Sequence, residues 1–308
     1  MDEHTPVLVA ETLAALALRP DGLYIDATFG RGGHSERILA ALGPDGRLIA
    51  IDRDPAAIAA GRVRFAGEAR LQLVQGEFGQ LAALVRAQTA RSLVDGALFD
   101  LGVSSPQLEQ AARGFSFLQD GPLDMRMDPS SGQPASVWLA AADLHEIRHV
   151  IATLGEERFA GRIAAEIERT RAAQPLTRTG ELAALVARCV RTREPGKHPA
   201  TRTFQALRMH VNDELGQLQR GLQQALPLLA PGARLAVISF HSLEDRMVKQ
   251  FLRSHSEPDP VLARLPLDTA APPPPLRLVG RRQRPSALEI AANPRARSAV
   301  LRVAERRA

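Results

Sequence analysis

Cysteine is nearly absent from this sequence, since Cys189 is the only one among 308 residues. A single cysteine excludes an internal disulfide and any zinc site built from cysteines. No apolar run approaches the ~18 residues that a membrane-spanning helix needs. The acidic start, Met1-Asp2-Glu3-His4, lacks the basic and apolar segments of a secretory signal. We therefore expect a soluble, cytoplasmic protein with no membrane partner.

Lysine is also scarce, with only Lys197 and Lys249, so almost every basic side chain is an arginine. Residues 277–308 contain nine Arg and two Glu, a charge of +7, which leaves −2 for residues 1–276 given the net +5. An arginine-rich tail suits a phosphate backbone, although a solvated terminal face without a partner fits the same composition. Aromatic residues are few, so base stacking outside an active pocket is expected to be minor.

The most informative stretch present runs from Leu23 to His34. Apolar β-formers and an acid, Asp26, are followed by Gly30, Gly32 and Gly33, and a helical apolar repeat begins directly afterwards. Strand, glycine turn and helix in that order let a ligand approach the backbone N–H groups at a helix N-terminus. The same turn also joins strands to helices where no ligand binds.

The spacing of the turn separates two kinds of cofactor. It reads G-x-G-G-x-S, so Ser35 stands where a dinucleotide-binding turn has Gly or Ala, which disfavours a nicotinamide enzyme. Asp26 lies four residues before Gly30. The stretch resembles the D-x-G-x-G-x-G motif of class I S-adenosylmethionine methyltransferases, with Thr28 in place of one glycine.

Strands and helices alternate over the first hundred residues. Further strands are predicted at 47–52, 71–74 and 94–101, and Asp54-Pro55 is expected to start a helix as N-cap and first residue. Helices are expected at 5–17 and 78–90. This alternation predicts an α/β fold with a mainly parallel sheet.

The alternation stops at about residue 110. Helices are predicted at 138–154, 156–171 and 181–190, then one long helix at 204–229, a fifth strand at 234–240, a proline-rich connector at 255–275 and a closing edge strand at 298–304. We therefore expect a discontinuous domain, 1–109 and 204–308, and a helical insertion, 110–203.

Ligands of open parallel sheets bind beyond the carboxyl ends of the strands. Asp52 ends the second strand 22 residues after Gly30, close to the ~20 at which an acid meets ribose hydroxyls. Phe78 follows the third strand, where its ring fits either against an adenine or in the core. Asp100 ends the fourth strand, where it is suited to an amino-acid ammonium or to a proton from a substrate amine.

Longer runs of sequence extend the resemblance to one family. The matching runs are 31–34, 50–55, 100–107, 113–117, 120–128, 238–246 and 293–298. The chain resembles the RsmH (MraW) family of small-subunit ribosomal RNA cytosine-N4 methyltransferases over nearly its whole length.

The resemblance implies a class I methyltransferase (Rossmann-like) fold and S-adenosyl-L-methionine as cofactor. It also implies methylation of a cytosine in the decoding region of 16S RNA in the small ribosomal subunit, with a helical insertion that recognises substrate. The implied cofactor-binding residues are Gly32, Gly33, His34, Asp52, Phe78, Asp100 and Gln107. No DNA partner is expected, and both a monomer and a homodimer fit the sequence.

No catalytic base is assigned. Many amino-methyltransferases have Asp/Asn-Pro-Pro-Tyr after the fourth strand, whereas this chain has Asp100-Leu101-Gly102-Val103. Asp124, His241 and Glu244 are candidates for substrate contact or for buried hydrogen bonding. The loop 193–202 and the tail are candidates for RNA phosphate contacts, with Arg202 and Arg284 as test positions.

Two other functions are weighed against this one. His145-Glu146-Ile147-Arg148-His149 is a literal H-E-x-x-H, and Glu166 could serve as a third zinc ligand, but its position among Arg and Ala favours a solvated helix face and no metal. A non-catalytic assembly factor of the small subunit is the alternative from a different class. A small-molecule methyltransferase also shares the fold, but the arginine-rich tail favours a large acidic substrate.

Overall fold

The computed structural model describes residues 6–190, 198–258 and 273–308. Within these ranges one sheet of seven strands has the order β3-β2-β1-β4-β5-β7-β6, and every pairing is parallel except the two made by β7. The strands are β1 (Leu23–Asp26), β2 (Arg47–Asp52), β3 (Leu71–Gln75), β4 (Val94–Asp100), β5 (Leu229–Ser239), β6 (Leu276–Leu278) and β7 (Val300–Arg306). The predicted α/β class with a mainly parallel sheet is confirmed.

The described residues form two compact units, within Met1–Gly102 plus Leu215–Ala308 and within Val103–Glu214. The second unit contains the predicted insertion, 110–203, and extends past it at both ends. Helices α1 (Val9–Leu16), α2 (Gly33–Ala41), α3 (Pro55–Arg64), α4 (Leu81–Gln88), α11 (Glu214–Leu228), α12 (Ser242–Ser254) and α13 (Ala287–Ala292) accompany the sheet. Helices α5 (Ser105–Glu109), α6 (Ala135–Ala141), α7 (Leu144–Leu154), α8 (Ala160–Ala173), α9 (Thr179–Cys189) and α10 (Thr201–Val211) belong to the second unit.

Each unit has its own hydrophobic core. In the first unit, side chains alternate between the two faces of the sheet: Ile49 and Ile51 contribute to one buried cluster, while Leu48 contributes to another. Residues 48–51 of β2 are all buried, as expected for a strand covered on both faces. The second unit buries the apolar faces of its helices against one another, around residues such as Ile147 and Ile163. These cores fix the strand ends that carry the candidate site.

The predicted start of α3 is confirmed. The Asp54 side chain accepts a hydrogen bond from the Ala56 N–H at 3.0 Å, and Pro55 occupies the first turn. Proline costs no hydrogen bond there, because the first N–H groups of a helix have no intrahelical acceptor. The strand β2 and the helix after it are therefore joined by a short, capped turn.

The prediction of one helix over 204–229 is wrong. The chain forms α10 and α11 instead, and Asp213 between them has a left-handed φ of 47°. The buried Asn212 amide accepts a hydrogen bond from the Met127 N–H at 2.8 Å and donates one to the Met125 carbonyl at 2.7 Å. A long-range contact therefore stops a helix that local sequence alone would continue.

Two other predicted elements differ. The helix expected at 138–154 is divided into α6 and α7, because Asp143 caps α7 by accepting a hydrogen bond from the Glu146 N–H at 2.8 Å. The last strand is not at the edge of the sheet, since β7 lies between β5 and β6. Strand β6 has three residues, of which only Leu276 is buried, so it carries no period-two pattern to predict it.

Some predictions concern residues outside the described ranges: the acidic start 1–4, the loop residues 193–197 and most of the connector 255–275. In the part of the chain that the structure describes, no helix combines the length and the hydropathy needed to cross a bilayer.

Candidate functional site

The glycine turn joins β1 to α2. Gly30 and Gly32 have φ values of 56° and 75°, a region that side chains with a Cβ rarely adopt. A Cβ on Gly32 would lie 2.7 Å from the Phe65 ring and 2.8 Å from the Phe29 ring. A Cβ on Gly33 would lie 2.9 Å from Cγ of Pro6. The turn therefore needs glycine at position 32 for both conformation and space.

Asp26, at the end of β1, holds this turn together from inside. Its carboxylate accepts hydrogen bonds from the Ser35 hydroxyl at 2.7 Å and from the Thr28 N–H at 3.1 Å. Burial raises the pKa of Asp26, and the hydrogen bond from Ser35 opposes that rise. Ser35 thus ties the first turn of α2 to the strand before it.

Thr28 connects the turn to β4. Its hydroxyl accepts a hydrogen bond from the Asp100 N–H at 2.6 Å. Thr28, which stands in place of a glycine of the motif, therefore fixes the backbone of Asp100, a predicted site residue. The sequence motif marks Thr28 and Ser35 only as departures from glycine, and the hydroxyl at each position is the only sign of these hydrogen bonds in the sequence.

His34 and Asp100 face each other across the site. His34 Nε2 lies 3.4 Å from Asp100 Oδ2, which is long for a charge-assisted hydrogen bond. Burial lowers the pKa of His34, but the interaction with Asp100 and the charge of Asp26 outweigh it, so the pKa lies above its usual value. The attraction between the two side chains is therefore greatest when His34 is protonated.

Asp100 Oδ1 is a buried acceptor without a hydrogen-bond partner among the described residues. Buried carboxylate oxygens are nearly always satisfied, and an exception marks a place where a donor is expected to bind. An ammonium group, with three N–H donors, suits such an oxygen.

Asp52, at the end of β2, is joined to the glycine turn. Its carboxylate accepts hydrogen bonds from the Gly30 N–H at 2.7 Å and from the Asp54 N–H at 2.8 Å. Burial raises the pKa of Asp52 to about 6 against the effect of these hydrogen bonds. A carboxylate offers about four lone-pair directions, so two remain for hydroxyl donors.

Phe78 lies in a 3-10 helix, Phe78–Gln80, that follows β3. Its ring packs edge-to-face on Phe99, with centroids 5.7 Å apart and planes at 81°. A Cβ on Gly221 of α11 would lie 2.9 Å from Phe78 Cδ2. Phe78 is only half-buried, so one side of the ring is anchored in the core while part of it stays exposed.

The structure brings six of the seven predicted residues into the first unit: Gly32, Gly33, His34, Asp52, Phe78 and Asp100. Gln107 belongs to the second unit, where it is buried in α5. Its side-chain oxygen accepts a hydrogen bond from the Ser104 N–H at 3.0 Å. In its own unit, Gln107 therefore stabilises the start of a helix.

The further candidates for substrate contact all have internal partners. Burial raises the pKa of Asp124, but two hydrogen bonds of 2.8 Å from the Arg126 guanidinium outweigh it and hold the pKa below its usual range. His241 caps α12, because its Nδ1 accepts a hydrogen bond from the Glu244 N–H at 3.4 Å. Its Nε2 lies 3.1 Å from Glu244 Oε1 but has no hydrogen-bond partner among the described residues. These contacts fit structural hydrogen bonding, the second of the two roles considered for these residues.

The H-E-x-x-H segment lies on α7. Glu146 accepts a hydrogen bond from Trp138 Nε1 at 3.0 Å, and Glu166 accepts two from Arg169. His145 and His149 do not approach a third acid, histidine or cysteine within the described residues. Glu146 and Glu166, the two acids of the candidate zinc site, therefore each accept a hydrogen bond from a side chain.

The two arginines chosen as RNA test positions differ in setting. The Arg202 guanidinium, at the start of α10, donates to the Glu156 carbonyl. Arg284, in the tail, is exposed.

Residues 1–307 match the MraW methylase family. Three relatives carry the name ribosomal RNA small subunit methyltransferase H. The protein of Dechloromonas aromatica is 57% identical over 304 residues, 98% of each chain. That of Azoarcus sp. is 56% identical over 305 residues, 99% of this chain and 97% of the relative, and that of Shewanella loihica is 55% identical over 305 residues, 98% and 97%. The chain therefore belongs to the MraW methylase family.

Proposed function

We propose that this protein transfers a methyl group from S-adenosyl-L-methionine to the exocyclic N4 of a cytosine in the decoding region of small-subunit (16S) ribosomal RNA. The proposal is carried by the match to relatives named ribosomal RNA small subunit methyltransferase H across at least 98% of the chain. The reaction takes place on small-subunit particles, so a cytoplasmic location is part of the proposal.

The residues of the first unit suit the proposed cofactor. The glycine turn and the free acceptor of Asp100 would hold its amino-acid half, and the remaining lone pairs of Asp52 would take its ribose hydroxyls. Phe78 offers an apolar ring edge for its adenine, and Gln107 is proposed from the resemblance. The cofactor supplies an electrophilic methyl group on a sulfonium sulfur.

The chain's own contribution to the reaction is positioning. The N4 lone pair of cytosine is delocalised into the ring, so acceptors must hold the N4 hydrogens while the nitrogen pyramidalises and attacks the methyl carbon in line. The new N–C bond would replace the S–C bond, which would leave S-adenosylhomocysteine, and one N4 proton would be released to an acceptor or to solvent. Holding two reactants in such a geometry accounts for a large share of a typical rate enhancement. Acceptors aimed at the developing positive charge add to it. A cytosine reaches such a site only when it is unstacked or single-stranded.

The proposal is tested with labelled S-adenosylmethionine and small ribosomal subunits that lack the modification. After reaction, the RNA is digested to nucleosides and the label is located by chromatography. We expect label in N4-methylcytidine, and Asp52→Ala should reduce it strongly. Label in another nucleoside would overturn the choice of atom.

The same experiment separates the proposal from its alternative. A non-catalytic assembly factor would co-sediment with small subunits but leave no label in any nucleoside. The match to relatives named methyltransferases over nearly the whole chain favours the enzyme.

A further inference from the structure

A concave, positively charged pocket lies in the first unit, near the sheet edge formed by β6 and away from the candidate cofactor site on β1, β2 and β4. Its volume is about 280 Å³, and its walls come from α12, β7 and the loop after β6. Five cations and one acid line it: Lys249, Arg253, Arg281, Arg282, Arg302 and Glu257.

Two of these cations are paired with carboxylates. Arg253 donates to Glu257 at 2.8 Å, and Arg302 donates to Asp245 through two hydrogen bonds of 2.7 and 3.0 Å. These pairs hold the side chains of α12 and β7 in place while contributing little net charge to the pocket. The charge that acts on a ligand therefore comes from the other cations.

Lys249, Arg281 and Arg282 form no ion pair within the described ranges. All three side chains are exposed and line the same pocket. Like charges gathered in one concavity repel each other unless an anion lies between them. The pocket is thus complementary to a ligand with at least one negative charge.

The backbone holds the two arginines in a fixed place. The Val279 N–H donates to the Val303 carbonyl at 3.0 Å, and Gln283 and Leu301 exchange two hydrogen bonds of 3.0 Å. Between these anchors, Gly280 has a φ of 65° and turns the chain out of the sheet. Arg281 and Arg282 therefore extend from a short loop whose two ends are hydrogen-bonded to β7.

The pocket also has apolar walls. Leu252 and Val303 are buried, while Leu278 is 52% exposed beside the cations. A bare phosphate ion would make no use of this surface, whereas a nucleotide could place its sugar against it. Arginine forks match phosphate oxygens in two parallel hydrogen bonds, and a pair of arginines suits a phosphodiester better than a lone carboxylate.

We propose that this pocket, defined by Lys249, Arg281 and Arg282, binds a phosphodiester of the ribosomal RNA chain away from the methylated base. The inference rests on the proposed RNA substrate and assigns a specific place and set of residues to one backbone contact. It predicts a contact that adds affinity and orientation without reading sequence.

The test measures binding to naked small-subunit ribosomal RNA and to intact small subunits over a series of salt concentrations. Arg281→Ala/Arg282→Ala is the main variant, and Lys249→Ala on α12 is the second. Arg281→Lys/Arg282→Lys keeps the charges. Arg62→Ala/Arg86→Ala is the matched control, because it removes two exposed arginines from α3 and α4. Thermal unfolding verifies that each variant is folded.

We expect the double alanine variant to bind naked RNA on the order of tenfold more weakly at ~0.1 M salt and to lower the log–log salt slope by about 1, because one phosphate contact is lost. Lys249→Ala should weaken binding in the same direction and lower the slope by less than the double variant does, because the two arginines still hold the same phosphate. Arg281→Lys/Arg282→Lys should keep most of the salt slope, and the control variant Arg62→Ala/Arg86→Ala should match the wild type.

An unchanged slope in Arg281→Ala/Arg282→Ala, or an equal loss in the control, would overturn the proposal. A loss on intact subunits but not on naked RNA would also overturn it, because the pocket would then bind an acidic protein segment. Absence of methyl transfer by the wild type is a separate result: it would contradict the proposed function, while binding to naked RNA would still decide the role of the pocket.

Discussion

Asp52 is the residue whose chemistry is most open to a direct test. Its pKa is raised to about 6 by burial, so its carboxyl group is protonated below that pH and ionised above it. Hydroxyl donors bind an ionised carboxylate more strongly than a neutral acid. We therefore predict that affinity for S-adenosylmethionine increases as pH rises through about 6 and levels off by about pH 8. Calorimetric titration across this range measures the effect.

Asp52→Asn should flatten that pH profile and weaken binding by about tenfold to a hundredfold at pH 8, as expected for one charged hydrogen-bond acceptor. Asp45→Asn, in an exposed loop before β2, removes the same charge at a distance and should keep the wild-type profile. If the Asp52→Asn variant retained the full pH dependence, another group such as His34 would be responsible.

Thr28 supports a second prediction at the scale of single residues. Thr28→Val removes the acceptor of the Asp100 N–H, so the free energy of unfolding should fall by about 1–3 kcal/mol. Cofactor affinity should fall with it, because Asp100 loses its anchor. Thr28→Ser keeps the hydroxyl and should retain most of both properties. Equal behaviour of the Val and Ser variants in urea unfolding and in cofactor titration would show that the hydrogen bond has no such role.

The site illustrates what sequence can predict about single residues. The positions of Asp52 and Asp100 follow from strand ends, because the carboxyl ends of parallel strands share one edge. The hydrogen bonds from Thr28 and Ser35 do not follow, since they depend on which side chains the turn brings within 3 Å. Gln107 is predicted to bind the cofactor from the family resemblance alone, and no periodicity or spacing in the sequence indicates that role.

At the scale of elements, replacing Gly32 in the β1–α2 turn is expected to cost more stability than replacing an ordinary glycine of left-handed conformation. Gly67 has a similar φ of 87°, but nothing lies within 4 Å of a Cβ there. Gly67→Ala should therefore cost only the backbone strain, about 1–2 kcal/mol. Gly32→Ala should cost that amount plus about 1–3 kcal/mol for displacing the Phe29 and Phe65 rings.

Urea unfolding of both variants measures this difference. Cofactor binding should be lost or strongly weakened only in Gly32→Ala, since Gly67 lies outside the turn. Equal destabilisation by the two substitutions would mean that the rings near Gly32 move aside without cost, and the close packing would then not explain the glycine.

Element prediction succeeded where local pattern and tertiary structure agree. Strand β2, for example, carries an apolar run at 48–51 and lies inside the sheet, between β3 and β1. The errors have tertiary causes: the buried amide of Asn212 ends α10, and β6 forms because β7 offers it an edge. Neither cause is visible in a window of sequence.

At the scale of the whole molecule, the alternation of strands and helices predicts a mainly parallel sheet, and its interruption near residue 110 predicts a helical insertion. The order of the strands in the sheet comes from the structure alone. We propose that the first unit carries the methyltransferase chemistry and that the second recognises substrate. The arginine-rich tail lies in the first unit, so RNA contacts are expected there as well. Composition indicated the tail's charge, but only the structure gathers Arg281 and Arg282 into one pocket with Lys249.

The central claim is that the glycine turn after β1, together with Asp52 and Asp100, binds a sulfonium cofactor. Calorimetric titration of the folded protein with S-adenosylhomocysteine tests it most directly. We predict one binding event per chain, weakened at least tenfold by Asp52→Ala, as expected for the loss of a charged acceptor. Absence of any binding by the folded wild-type protein, with or without small ribosomal subunits present, would contradict it.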